Sequence, residues 1–266
     1  MLNSKFSKAV FCGHLFLFIA VPFTSYQHPQ NNDVLGEDDT IPAVSAVIAN
    51  KVQLNKNAVR FVHNYIQKNN EELVKIKQRS KSVFKTMDVV FRKYGLPVEL
   101  KYLAVIESEL KTSAVSRVGA VGPWQFMPVT AKILGLKISA ANDERKQYNK
   151  STKAAAVYLR DLYTEFGDWL LVMAAYNCGP GPVYTAIHKS GSRNFWNLQA
   201  YLPGESRDHV KKFIATHYYF EGNGSVTTLT KAENIKYSKI QMLAQAKASV
   251  PAKQAAVSEQ SIAYGF

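Results

Sequence analysis

The sequence predicts a mostly α-helical protein, and three observations carry that prediction. Apolar residues recur three and four apart in segment after segment between positions 59 and 220, Gly and Pro punctuate those segments, and strand-type alternation is nearly absent. With 266 residues, the chain suffices for one large domain or one domain with extensions. A composition 47% hydrophobic and 20% charged can bury a real core, which excludes wholesale disorder, a collagen-like chain and a multi-span membrane protein.

Taken in order, Lys5 and Lys8 precede an apolar run over 9–21 broken only by Gly13 and His14, and polar residues follow from Thr24. This is the pattern of a secretory signal peptide, assigned to residues 1–26. The run is shorter than the ~20 apolar residues of a spanning helix, so no stable membrane span is expected. Cys178 is then the only cysteine left, which excludes an intramolecular disulfide. Residues 27–54, with Asn31, Asn32, Glu37, Asp38 and Asp39, read as a linker. In 55–82, Val62, Ile66, Leu73 and Ile76 at helical intervals predict an N-terminal helical extension.

The main domain is expected over 83–224. Val83, Phe84, Met87, Val90, Phe91 and Tyr94 form one stripe, stopped by Gly95 and followed by Pro97. A second helix over 97–109 puts Leu100, Leu103 and Glu107 on one face. Ala155, Leu159, Leu162 and Phe166 mark another helix, closed by Gly167, and Asp168 is placed to cap a helix running through Tyr176. Further helices are predicted over 183–189 and 206–220. From about 225 the texture turns to Lys, Gln, Ala and Ser, with five lysines against Glu233 and Glu259. Residues 225–266 therefore read as a basic, flexible tail, with a helix over 236–248 as the alternative.

Two stretches exceed what packing needs. In the first, Glu107 lies among apolar neighbours near the carboxyl end of its helix. Desolvation and the helix dipole both disfavour an ionised carboxylate there, which suits a general acid near neutral pH. The alternative is a surface glutamate near a helix end. Downstream, Ser116, Gly119, Gly122, Trp124, Gln125 and Met127 describe a tight turn that lets backbone approach a ligand beside an aromatic face, an amide and a hydroxyl, a mixture suited to sugars. Packing alone would instead put Trp124 and Met127 in the core and leave Gln125 capping a turn. The second stretch is 174–181, containing Tyr176, Asn177, Cys178, Gly179, Pro180 and Gly181.

Together, Glu107-Ser108, Ser116, Gly119-Ala120, Gly122, Gln125, Met127-Pro128 and Ala175-Tyr176-Asn177-x-Gly179-Pro180-Gly181 resemble the soluble-lytic-transglycosylase catalytic domain. The Trp124-Gln125-Phe126-Met127-Pro128 variant, with Phe195-Trp196-Asn197-Leu198 and Leu202-Pro203-Gly204-Glu205, is similar to the membrane-bound lytic murein transglycosylase D branch. The resemblance covers roughly 55–222. It implies a lysozyme-like helical catalytic domain that cleaves the β-1,4 bond between N-acetylmuramic acid and N-acetylglucosamine in peptidoglycan, closing a 1,6-anhydromuramoyl ring without water.

By the same resemblance Glu107 is the single catalytic acid and then base, and no second carboxylate sits in the motifs, as an ordinary glycosidase pair would require. Ser116, Gln125, Met127, Tyr176 and Asn177 are the implied substrate-binding residues, with Asn177 alternatively capping its helix. Cys178 stands where the family usually has alanine, and the peptidoglycan-binding repeats usual in that branch do not occur in 225–266, which argues against processive binding.

No metal or cofactor is expected, because the six histidines are scattered without H-E-x-x-H or a Cys/His cluster. Likewise, 179–181 lacks the Lys-Ser/Thr of a phosphate loop. His63, His209 and His217 read as surface or partly buried structural residues. The net charge of +13 calls for a polyanionic partner, but the lysines are dispersed behind an export signal. A wall polymer bearing peptide carboxylates suits that charge, nucleic acid is not expected, and the protein is placed in the periplasm as a monomer, near the cell wall or outer membrane. A goose-type lysozyme on the same scaffold and a non-catalytic peptidoglycan-binding protein remain as alternatives.

Overall fold

The apolar stripe from Val62 to Ile76 belongs to a single amphipathic helix, α1 (Lys56–Arg79), whose first turn is capped by Asn55 Oδ1 accepting from Asn57 N at 2.9 Å. The computed structural model describes residues 52–262, with side chains through 246; the expected signal peptide and most of the expected linker lie outside the described residues. The remaining helices are α2 (Lys81–Lys93), α3 (Tyr102–Ser108), α4 (Pro128–Ile133), α5 (Tyr148–Phe166), α6 (Trp169–Cys178), α7 (Pro180–Ser190), α8 (Phe195–Leu198), α9 (Gly204–Glu221) and α10 (Lys231–Ile262). Short 3-10 turns precede α3 and α5 and flank α9. The mostly α class is borne out: among the described residues, β pairing is confined to isolated bridges.

Helix α6 is the centre of the core. All of Trp169 to Ala175 are buried, as expected of a helix that is apolar on every side, and α5, α7 and α9 pack around it. Ala58, Val62 and Ile76 of α1 join the same core as Phe213 and Ile214 of α9, so the N-terminal helix is packed on the rest of the fold.

Two expectations are revised here. The helix predicted over 97–109 is split into a 3-10 turn, Val98–Lys101, and the short α3. The packed body also runs past 225: Thr227, Thr228, Leu229 and Thr230 are buried, and 231–262 form α10, which contains the helix given as the alternative over 236–248. The cause lies in partners that composition does not display. Glu233 Oε2 accepts from Thr230 N at 2.7 Å and from Trp196 Nε1 at 3.3 Å. Asp168, the predicted cap of α6, accepts from Leu170 N at 2.9 Å through Oδ1 and from Lys231 N at 2.6 Å through Oδ2. One carboxylate thus satisfies the N-termini of two helices, which carry partial positive charge. Asp168→Ala is expected to cost roughly 2 kcal/mol, the upper end for loss of a cap. Denaturant midpoints measure this, with the exposed Asp161→Ala as the control that stays at wild type.

A buried polar layer joins α3 to α9. The Tyr102 hydroxyl donates to Glu221, and His217 packs edge-on against the Tyr102 ring at 5.5 Å. Burial pushes the His217 imidazole down to about 4, with nearby Glu221 opposing and Lys101 adding to the shift. Between about pH 6.5 and 4 the unfolded chain therefore binds a proton that the folded chain refuses, so stability is lost as pH falls through that window. At 1.36 kcal/mol per unit the loss amounts to about 3 kcal/mol. Unfolding free energies measured across this range should fall less steeply for His217→Phe than for wild type.

Candidate active site

Glu107 is the penultimate residue of α3, and the helix stops just beyond it because Glu109 and Leu110 turn left-handed at φ 55° and 65°. Glu109 N and Leu110 N satisfy the carbonyls of Val105 and Ala104, at 2.8 and 3.3 Å. Ser108 Oγ donates to Pro123 O at 2.9 Å, tying the helix end to the loop over 114–126. Glu109, Leu110 and Gln125 (φ 48°) are the non-glycine residues with positive φ among the described residues, and all flank this site. Each left-handed L-residue costs roughly 1–2 kcal/mol, strain that the surrounding contacts must hold.

The loop is a small, bridged unit. Val121 pairs with both Val115 and Phe126, Gly122 N donates to Ala114 O at 2.9 Å, and the Ser116 and Ala120 ends close on each other through Ser116 N to Ala120 O at 2.8 Å. Beneath it lies Arg145, 5% exposed, which donates to Gly119 O at 3.1 Å and to Phe126 O at 3.0 Å. Arg145 is in turn clamped by Asp143, with Nε to Oδ1 at 3.0 Å and Nη2 to Oδ2 at 2.7 Å. That fork holds the Asp143 carboxyl below its usual range. Gly122 is required twice over: its φ is +85°, and a Cβ there would lie 2.0 Å from Arg145 O.

The expected site residues fall into two groups. Glu107 and Tyr176 lie within electrostatic reach of each other. The Tyr176 hydroxyl donates to Trp124 O at 2.7 Å, and burial, with the Glu107 charge next, holds this phenol well above its ordinary value. Asn177 faces α9, where its Oδ1 accepts from Ser206 Oγ at 2.7 Å. By contrast, Ser116 Oγ accepts from Ala120 N at 2.9 Å, and Gln125 Nε2 donates to Gly122 O at 2.8 Å, so each side chain spends one of its polar groups on shaping the loop. Capping a turn, the alternative reading for Gln125, is therefore what its amide nitrogen does. Met127 is half-buried at the residue preceding Pro128 and α4. Trp124 is wholly buried, its indole N–H donating to Thr152 Oγ1 at 3.1 Å, as the packing reading required.

Two partners of Glu107 were not found from sequence. His209, read as a structural histidine, reaches across from α9 and places Nε2 2.9 Å from Glu107 Oε1; the Glu107 side chain is only 3% exposed. Its signal was an imidazole on the same stripe as Val210, Phe213 and His217, a polar group facing inward. Glu205, one turn earlier, is half-buried within electrostatic reach. Burial raises its carboxyl above the usual range, Lys212 opposes the rise, and Glu107 adds to it. Among the described residues, no group of three or more His, Cys, Asp or Glu is arranged to hold a metal ion, and no helix is long and apolar enough to cross a membrane.

Comparison with known proteins finds similarity over the segment that carries this geometry. Residues 91–199 match the family model described as Transglycosylase SLT domain. Membrane-bound lytic murein transglycosylase D of Escherichia coli (strain K12) is 39% identical over 129 residues, 47% of this chain and 28% of that protein. A putative tributyltin chloride resistance protein of Alteromonas sp. (strain M-1) is 41% identical over 96 residues, 36% of this chain and 46% of that protein. The chain thus spans less than half the length of these relatives. Among solved structures, the 70 kDa soluble lytic transglycosylase SLT70 from Escherichia coli aligns at 24% identity and a TM-score of 0.49, covering 66% of this chain and 31% of that one. The matched segment, 91–199, holds Glu107, the 114–126 loop and Tyr176, and its similarity to the transglycosylase SLT domain bears out the resemblance read from the motifs.

Proposed function

We propose that this protein is a peptidoglycan lytic transglycosylase that uses Glu107 as acid and then as base. The observation that carries the reading is the buried Glu107 carboxylate, held at the end of a stopped helix beside Tyr176 and a strained, glycine-dependent loop, within a segment that matches the transglycosylase SLT domain. Protonated Glu107 gives its proton to the oxygen of the β-1,4 bond between N-acetylmuramic acid and N-acetylglucosamine as the C1–O bond breaks. The muramoyl C6 oxygen then attacks C1, and its proton passes to the Glu107 carboxylate, which restores the acid and leaves a 1,6-anhydro end. Water is not consumed, so a second carboxylate to activate it is not needed.

Glu205 bears on the lysozyme alternative. Glu205 is the other carboxylate near Glu107, and burial raises its carboxyl above the usual range; the product chemistry decides whether it serves as the second carboxylate of a hydrolytic pair. Tyr176, Asn177, Ser116, Gln125 and Met127 are proposed to line the glycan cleft, the loop residues by presenting backbone and remaining polar atoms. The charged, apolar start of the chain supports export to the envelope, where glycan strands are the substrate and the protein acts as a monomer.

Mass spectrometry of muropeptides released from isolated peptidoglycan tests this. Anhydromuramoyl products are expected. Products one water heavier would assign a lysozyme, and no products from folded protein would favour a binding protein.

A further inference from the structure

His209 approaches Glu107 with one nitrogen and leaves the other without a partner. Nε2 lies 2.9 Å from Oε1, the imidazole side chain is 9% exposed, and Nδ1 is buried with no hydrogen-bond partner. Glu205 of α9 and Tyr176 of α6 lie within electrostatic reach of Glu107, and Lys212 of α9 within reach of Glu205.

Three protonation patterns are open to an imidazole, and the orphaned Nδ1 discriminates among them. An imidazolium would bury an N–H donor with no acceptor. The Nδ1–H tautomer would do the same, and would also turn the bare Nε2 lone pair toward a carboxyl oxygen. The Nε2–H tautomer leaves only a lone pair unpaired, and buried donors without acceptors are the rarer and costlier defect.

We infer that His209 is a positioning residue, held as the neutral Nε2–H tautomer, whose donation to Oε1 reserves Oε2 of Glu107 as the oxygen that carries the working proton. The inference rests on the acid/base reading of Glu107. Oε1 accepts from Nε2–H whether Glu107 is the acid, with Oε1 as its carbonyl oxygen, or the carboxylate. The contact therefore persists through the cycle. The proton leaves from Oε2 to the glycosidic oxygen and returns to Oε2 from the C6 hydroxyl, with no transfer between the two carboxyl oxygens. Neither His209 nitrogen gains or loses a proton.

The test pairs two substitutions with a spectroscopic readout on the intact chain. Gln places an amide N–H near the position of Nε2, whereas Asn places one nearer Nδ1. His209→Gln should keep most of the wild-type kcat, while His209→Asn should lose about 10²-fold in kcat with little change in KM, the scale of a misplaced catalytic group. Nitrogen-15 NMR of wild-type protein should show a pyrrole-like Nε2 and a pyridine-like Nδ1. Equal losses in the two variants, or a pyridine-like Nε2, would overturn the inference. Activity retained by Glu107→Gln would instead overturn the acid/base reading, and the NMR readout distinguishes the two because it needs no substrate or turnover.

Discussion

Glu107→Gln should abolish release of anhydromuramoyl products, lowering turnover by about 10³-fold or more, within and at the upper end of what a positioned general acid contributes. The amide keeps the shape of the side chain and can still accept from His209 Nε2 at the 2.9 Å contact, so the fold should be little disturbed. What is lost is the proton that must leave and return. Thermal unfolding within a few degrees of wild type, together with absent product, is the expected pairing. A variant that folds and still cleaves would remove Glu107 from the chemistry. Binding of glycan by the folded, inactive variant would in addition separate recognition from catalysis.

Gly122→Ala should be the most damaging single-atom-scale change in the site. A Cβ at 122 would fall 2.0 Å from the Arg145 carbonyl oxygen and 2.7 Å from its carbonyl carbon, and both belong to backbone that cannot rotate aside. Relief requires moving the 143–146 turn or the loop. Either movement breaks the set in which Arg145 holds Gly119 O and Phe126 O while Asp143 holds Arg145. A loss of about 4 kcal/mol is expected, from left-handed strain plus a broken buried network. Gly119→Ala supplies the control. Its φ of +87° imposes the same conformational strain, but nothing lies within 4 Å of the added methyl. It should therefore cost only the ~1–2 kcal/mol of the backbone conformation. Denaturation midpoints measure both, and equal losses would show that the contact with residue 145 carries no energy.

Much of the helical content was legible because it depends on local pattern. The stripe from Val83 to Phe91 lies within α2, Asp168 caps α6 as its position after Gly167 indicated, and Gly95 and Gly167 both take left-handed φ at helix ends. The break between Lys101 and Tyr102 was not visible, since 3-10 and α turns share nearly the same side-chain periodicity over four residues. The packed segment after 225 was missed for a different reason. Its anchors, Glu233 to Trp196 and Lys231 N to Asp168, join residues 37 and 63 positions apart. Amino-acid composition carries no record of such pairings.

In the candidate site the same division holds. Glu107 on an apolar helix face, the glycines of the 114–126 loop and the Tyr176 stretch were all readable as motifs, because each is a local arrangement of residue types. The sequence by itself determined a mostly helical chain, the positions of its main helices, and the family that 91–199 resemble. Only the tertiary structure decided what surrounds Glu107. It turned Ser116 and Gln125 inward as builders of the loop, set Arg145 beneath it, and brought His209 and Glu205 from a helix about 100 residues away. The physical reason is that periodicity records which face of a helix is buried, whereas hydrogen bonds between two buried polar groups depend on how those faces meet in space.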